Sequence, residues 1–368
     1  MQTHAKHQFI VQSAEYFARH QRKSGKFFYR MRLDGGDVRS DYNVLRHAGA
    51  AYSLGQSLPF AGPTAQQTAD RALMYLWRWY LVPVVADKLQ FAIASAKPSK
   101  RNFDIAKLGG VGLAQIALAT QQRELTEFEK DVARGLARFT YSMIAPDGSV
   151  TSKINIRTGA VSDFVSLYYP GEAALSLLLF AMRFDDDIAV EHALRILRYL
   201  SESRVGAPTV PPDHWALLAT AEVFSLVADG RIDLEAVILE AFRFHAIQIV
   251  DKILLDADLA ADPGGALTDN GKTCSSATRL EGLCAIFGYL ATHGYCDLDR
   301  VRDCIDRGIA YLMNAQVASG PLAGGMPWVS PHHATYSTNP TAPEIRIDSV
   351  QHALSAVLGS LAMTNAAT

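Results

Sequence analysis

The sequence predicts an all-α protein, a closed (α/α)6 toroid of six helical hairpins over residues 1–368, with long loops and small β-hairpins on one rim. Two observations predict it. Charged, amphipathic helical segments alternate strictly with segments that are small, apolar and almost uncharged beyond their first turn. The alternation runs six times, at intervals of roughly 45 to 70 residues, a spacing typical of helix-pair repeats that bury their inner faces only against neighbours.

The amphipathic segments are residues 8–23, 64–81, 126–144, 186–204, 233–254 and 297–316, each with apolar side chains at i, i+3, i+4 and i+7. They are outer helices. Between them lie 43–56, 107–120, 169–182, 213–227, 277–291 and 347–362, apolar on nearly every face and therefore inner helices. Outer-to-inner links such as 23–40, 145–164, 256–275 and 317–344 are long and rich in Gly, Pro, Asp and Asn, with short β-like runs such as FFYRM and VTSKINI. Inner-to-outer links, such as SLPFAG and ADGR, are short. One end of the ring is thus expected to be plain and the other elaborate.

Composition excludes several partners. A formal net charge of -2, with no run of five like charges, gives no footprint for nucleic acid or an anionic membrane. No stretch reaches the roughly 18 apolar residues of a membrane span, and the N-terminal segment reads as an amphipathic helix, so a cytoplasmic location is expected. Cys274, Cys284, Cys296 and Cys304 form no CxxC pair and read as thiols. The glycines of GGDVR, KLGG and PGGAL match no phosphate loop and serve turns and close packing.

Each inner segment follows a loop, so the six first turns are expected to converge on the elaborate rim, where long loops concentrate function. They carry Asp41, Tyr42, Arg46 and His47; Asp104 and Lys107; Tyr168, Tyr169 and Glu172; Asp213, His214 and Trp215; Arg279 and Glu281; and Arg346, Asp348 and His352. Acids, bases and aromatic rings together suit a polyhydroxylated ligand. Glu172, Asp213, Glu281 and Asp348 are the expected pool for acid and base, with His214 and His352 for proton transfer. Asp41, Tyr42, Arg46, His47, Lys107, Tyr169, Trp215, Arg279 and Arg346 are the expected substrate contacts. Structural roles compete: Asp213 after two prolines suits an N-cap, Glu172 after Pro170 suits a helix start, and Glu281 stands at capping-box spacing from Thr278. Neither metal ion nor cofactor is expected.

The stretches YNVLRHAG, KLGG, YYPGEA, DHW, SSATRLEG and RIDSVQHAL resemble those of the six-hairpin (α/α)6-barrel superfamily, across essentially the whole chain. That superfamily includes glycoside hydrolases, unsaturated-uronyl hydrolases, N-acylglucosamine 2-epimerases and lanthionine cyclases. A zinc cyclase is disfavoured, because this chain lacks the Cys-His dipeptide of those enzymes. The resemblance implies a carbohydrate-active enzyme with a saccharide substrate. The first expectation is a glycoside hydrolase using bore carboxylates; the alternatives are a sugar epimerase or isomerase using bore histidines, and a non-catalytic glycan- or peptide-binding toroid. Residues 327–340 read equally as a lid or as a subunit contact.

Overall fold

The computed structural model describes residues 2–33, 42–98, 100 and 102–366; Asp41 lies outside the described residues. In chain order these form α1 (Gln2–Arg19), β1 (Arg30–Arg32), α2 (Val44–Gln56), α3 (Leu58–Trp79), β2 (Leu81–Val84), β3 (Asp87–Ile93), β4 (Ile105–Lys107) and α4 (Leu108–Ala119). There follow α5 (Glu127–Ser142), β5 (Lys153–Asn155), α6 (Tyr169–Phe184), α7 (Asp187–Ser203), α8 (His214–Ala228), α9 (Ala236–Ala260), α10 (Thr273–Thr292), α11 (Leu298–Ala315), β6 (Glu344–Arg346) and α12 (Ile347–Ala366). The alternation read from the sequence holds throughout. In α4 every residue from Leu108 to Leu118 is buried, whereas α5 and α11 bury one stripe only.

The chain falls into two compact units, Met1–Ala72 with Val250–Thr368, and Leu73–Ile249. In the first unit α12 packs against α10, α2 and α1, and β1 pairs antiparallel with β6, Arg30 opposite Arg346. Its core includes Tyr16, Phe17, Phe27 and Leu54. In the second unit α6 packs against α4, α7 and α8, and β4 pairs antiparallel with β5, Lys107 opposite Lys153. Leu108, Phe139 and Phe242 are among its buried side chains.

Local chemistry sets the helix ends. Thr126 and Glu129 form a reciprocal capping box on α5, and the Asp186 and Asp213 side chains cap α7 and α8. Three features differ from the sequence reading. Residues 58–62, read as a link, are helical and join α3 across a kink at Gly62, whose φ of 53° precedes Pro63. β2 and β3 form a hairpin that the helical periodicity concealed, Leu81 pairing with Ile93 and Val82 with Ala92. Thr278 lies inside α10, which begins at Thr273, so it bonds the Ser275 carbonyl and caps nothing. No helix among the described residues is long and apolar enough to cross a membrane.

Candidate functional site

In the first unit the start of α12 gathers most of the predicted chemistry. Asp348 and His352 stand four residues apart on α12 and therefore share one face. Arg346 grips Asp348 with two parallel bonds, Nε to Oδ1 at 2.6 Å and a terminal nitrogen to Oδ2 at 2.8 Å. Arg46 of α2 adds Nε to Oδ2 at 2.9 Å. Two guanidiniums on one carboxylate leave a net positive charge, and both arginines remain partly exposed. Arg46 also donates to the Tyr29 hydroxyl, and Arg346 lies 3.7 Å from the centroid of the Trp328 ring, over which Lys272 also sits.

One turn along α12, His352 Nδ1 stands 2.7 Å from Glu281 Oε1 of α10. The Glu281 carboxyl is 2 % exposed and the imidazole 13 %. Burial raises the Glu281 pKa, and the contact with His352 pulls it back. A carboxylate accepting from Nδ1–H fixes the tautomer and puts the ring's lone pair on Nε2, the arrangement of an oriented general base. Cys274 approaches Asp348 Oδ2 at 3.9 Å; burial and then the Asp348 charge push its thiol well up, which makes it a poor nucleophile.

The second unit holds its acids differently. Asp213 is wholly buried, caps α8 by accepting from the Ala216 N–H at 3.2 Å, and takes a bond from Arg204 at 2.8 Å. Arg204 also donates to His245 Nε2 at 3.0 Å. Burial, and next the Arg204 charge, lower the His245 pKa to about 3, so this imidazole stays neutral and acts as an acceptor. Glu172, in the first turn of α6, is buried, and Oε2 has no hydrogen-bond partner among the described residues. Burial, and next the Asp213 charge, raise its pKa to about 8, so it is protonated at neutral pH. Its tip lies where a Cβ at Gly109 would be, 2.0 Å from Oε2. The glycine of KLGG is there for that approach. His214 opens α8 with its ring edge-on to Tyr168 at 5.4 Å.

Several expected contacts take structural roles instead. His47 is fully buried, with Nδ1 2.5 Å from the Tyr42 hydroxyl and Nε2 3.0 Å from the Ala72 carbonyl; burial lowers its pKa to about 4. It is a satisfied core histidine, and Tyr42 is its partner. Trp215 is buried against Gly171, and Tyr169 packs on Gly109, so neither offers an open ring face. Arg279 stands two residues from Glu281 and so points elsewhere on α10: it bonds Asp256 and the Ser275 carbonyl and lines a separate cavity of about 320 Å³. Glu281 is in the third turn of α10 and not the first. Lys107 is the N-cap residue of α4 and is half-buried.

Sequence reasoning missed Tyr29, Trp328, Cys274, Arg204, His245 and Lys153. All but Arg204 and His245 sit on loops, short strands or helix starts whose pairing periodicity does not report. For Arg204 and His245 the signal was present: both end or interrupt otherwise apolar faces of outer helices.

The sequence matches no protein-family model and no curated protein. Solved structures share its fold. A cellobiose 2-epimerase from Spirochaeta thermophila superposes with a TM-score of 0.69 at 13% identity, over 98% of this chain and 97% of that one. A sugar epimerase from a ruminal bacterium gives 0.66 at 11% identity, over 97% and 98%. A GH76 α-mannanase from Bacteroides thetaiotaomicron gives 0.64 at 12% identity, over 98% and 97%. The fold is the (α/α)6 toroid. The all-α class and the toroid fold expected from the sequence hold.

Proposed function

We propose that this protein is a carbohydrate-active enzyme that moves a proton on a sugar carbon, an epimerase or isomerase, with His352 as the proton-transfer group. The observation that carries the reading is the 2.7 Å bond between the partly exposed His352 ring and the buried Glu281 carboxylate. In an open-chain sugar, removal of the proton beside the carbonyl places negative charge on oxygen. The net positive Arg46–Asp348–Arg346 cluster, on the same face of α12, is suited to offset that charge. Epimerases that share the fold support the reading.

The hydrolase reading is favoured by one observation, the raised pKa of Glu172 beside the charge of Asp213, a pairing suited to acid and base. Against it, Asp213 and Asp348 are each tied to arginine and Glu281 to histidine. Three of the four acids are thus held by cationic or imidazole partners, and Glu281 serves to orient the His352 ring.

The test is incubation of the purified protein with a panel of aldoses, ketoses and disaccharides in D2O, followed by proton NMR. Loss of one carbon-bound proton signal, with a new epimer or isomer, supports the proposal. Release of free sugar without exchange supports the hydrolase. Binding without either supports a glycan-binding toroid.

A further inference from the structure

We propose that the second unit carries a binding subsite for an anionic group, a carboxylate or a phosphate, at the start of α4, with Lys107 and Lys153 as its cations. In the β4–β5 ladder these two lysines are directly opposite each other. Residues directly opposite in an antiparallel pair have their Cβ atoms only about 4.5–5.5 Å apart, and like charges there are destabilising. Neither lysine has an ion pair or hydrogen bond among the described residues, and both are half-buried. The nearby acid Asp104 is engaged with Arg157 at 3.1 Å. Burial, and next the charge of Lys153, hold the Lys107 ammonium below its usual range, with no acid offsetting either effect.

Two further features point the same way. Lys107 is the N-cap residue of the twelve-residue α4, whose cap has no side-chain acceptor, so the positive end of the helix dipole adds to the two ammoniums. Against the same first turn lies the Glu172 carboxyl, buried, with Oε2 unpartnered among the described residues. A carboxyl kept neutral there does not repel an anion as a carboxylate does. Like charges placed face to face, without a counter-charge, at the electropositive end of a helix are costly unless an anion sits between them. All of these groups lie in the second unit, and their anion binding does not depend on which reaction the protein catalyses.

The experiment is calorimetric titration of the full chain at neutral pH and low salt with inorganic phosphate, D-glucuronate, glucose 6-phosphate and glucose, repeated with Lys107→Met, Lys153→Met and the double variant. Binding of an anion, weakened at least tenfold by each substitution and restored in part by Lys153→Arg, is the expected result. Glucuronate binding without phosphate binding identifies a carboxylate site. Binding of phosphate and glucose 6-phosphate without glucuronate identifies a phosphate site. Circular dichroism verifies that each variant is folded. Anion binding that is unchanged in the folded double variant overturns the proposal, as does the absence of any anion binding to the native protein. A second readout is the Lys107 amine resonance, which shifts to a higher titration midpoint on anion addition if the proposal holds and stays put if it fails.

Discussion

The two units treat their charged groups in opposite ways. The first keeps its arginines and His352 partly exposed, with buried carboxylates behind them as orienting partners. The second buries its carboxylates as well, but there they serve packing and capping at helix starts: Asp213 caps α8 under Arg204, and Glu172 is sealed beneath Gly109. A carboxylate placed behind a base tunes chemistry, whereas one placed under a helix start holds a fold. Charge at the start of α12 in the first unit is therefore expected to govern turnover, and the buried acids of the second to govern stability.

Substitution of His352 by Asn probes the first half of that contrast and carries the largest expected effect. The rate of carbon–deuterium exchange should fall by about 10²–10⁴-fold, the usual worth of a positioned acid–base group, with the melting temperature nearly unchanged. A large loss of stability with exchange intact would reverse the roles of the two units.

Arg204→Met probes the second half. It strands Asp213 in a fully buried position, and breaking such a pair costs about 3–5 kcal/mol, readable by chemical denaturation. Because Asp213 can escape by taking a proton, the deficit should shrink as pH falls. A stability within experimental error of the native protein would show that the Arg204–Asp213 pair is dispensable.

Gly109→Ala is a smaller change. Its methyl meets the Glu172 carboxyl and the Tyr169 ring at 2.0 and 2.4 Å, so overpacking by about 1–3 kcal/mol is expected. Enlarging this contact sharpens the view that Glu172 is a packed, neutral group.

The last effect is spread over a pH range. The folded-state pKa of Glu172, about 8, lies above its unfolded value of 4.5, so its contribution to stability is full below pH 4.5 and is lost as pH rises through 8. His47 and His245 act oppositely: their folded values, about 4 and about 3, lie below 6.5, so stability is present above pH 6.5 and falls as pH drops through those values. Glu172→Gln should remove its share of the alkaline decline, on the order of 1 kcal/mol per pH unit between 4.5 and 8, and leave the acid limb intact. An unchanged alkaline slope would contradict a neutral Glu172.

The helices were legible because burial imposes periodicity: α4 is apolar all round and α5 is striped, and both patterns stand in the sequence. Asp213 as a cap and Asp348 beside Arg346 were also legible, since their partners lie within a few residues. The Glu281–His352 pair was not, because its members are 71 residues apart and the capping-box spacing at Thr278 gave a local explanation for Glu281. His47 shows the converse: a histidine at a helix start carries the same sequence signal whether its ring faces a ligand or the Ala72 carbonyl. Periodicity reports which face is buried and not which polar group waits there.

If the oriented imidazole of the first unit exchanges a carbon-bound proton of a sugar, solvent deuterium must enter the substrate. Proton NMR of the native protein with its binding sugars in D2O tests it most directly. Deuterium appearing at a single carbon, dependent on His352, is the predicted result; binding or hydrolysis of every accepted sugar with all carbon-bound protons retained would contradict it.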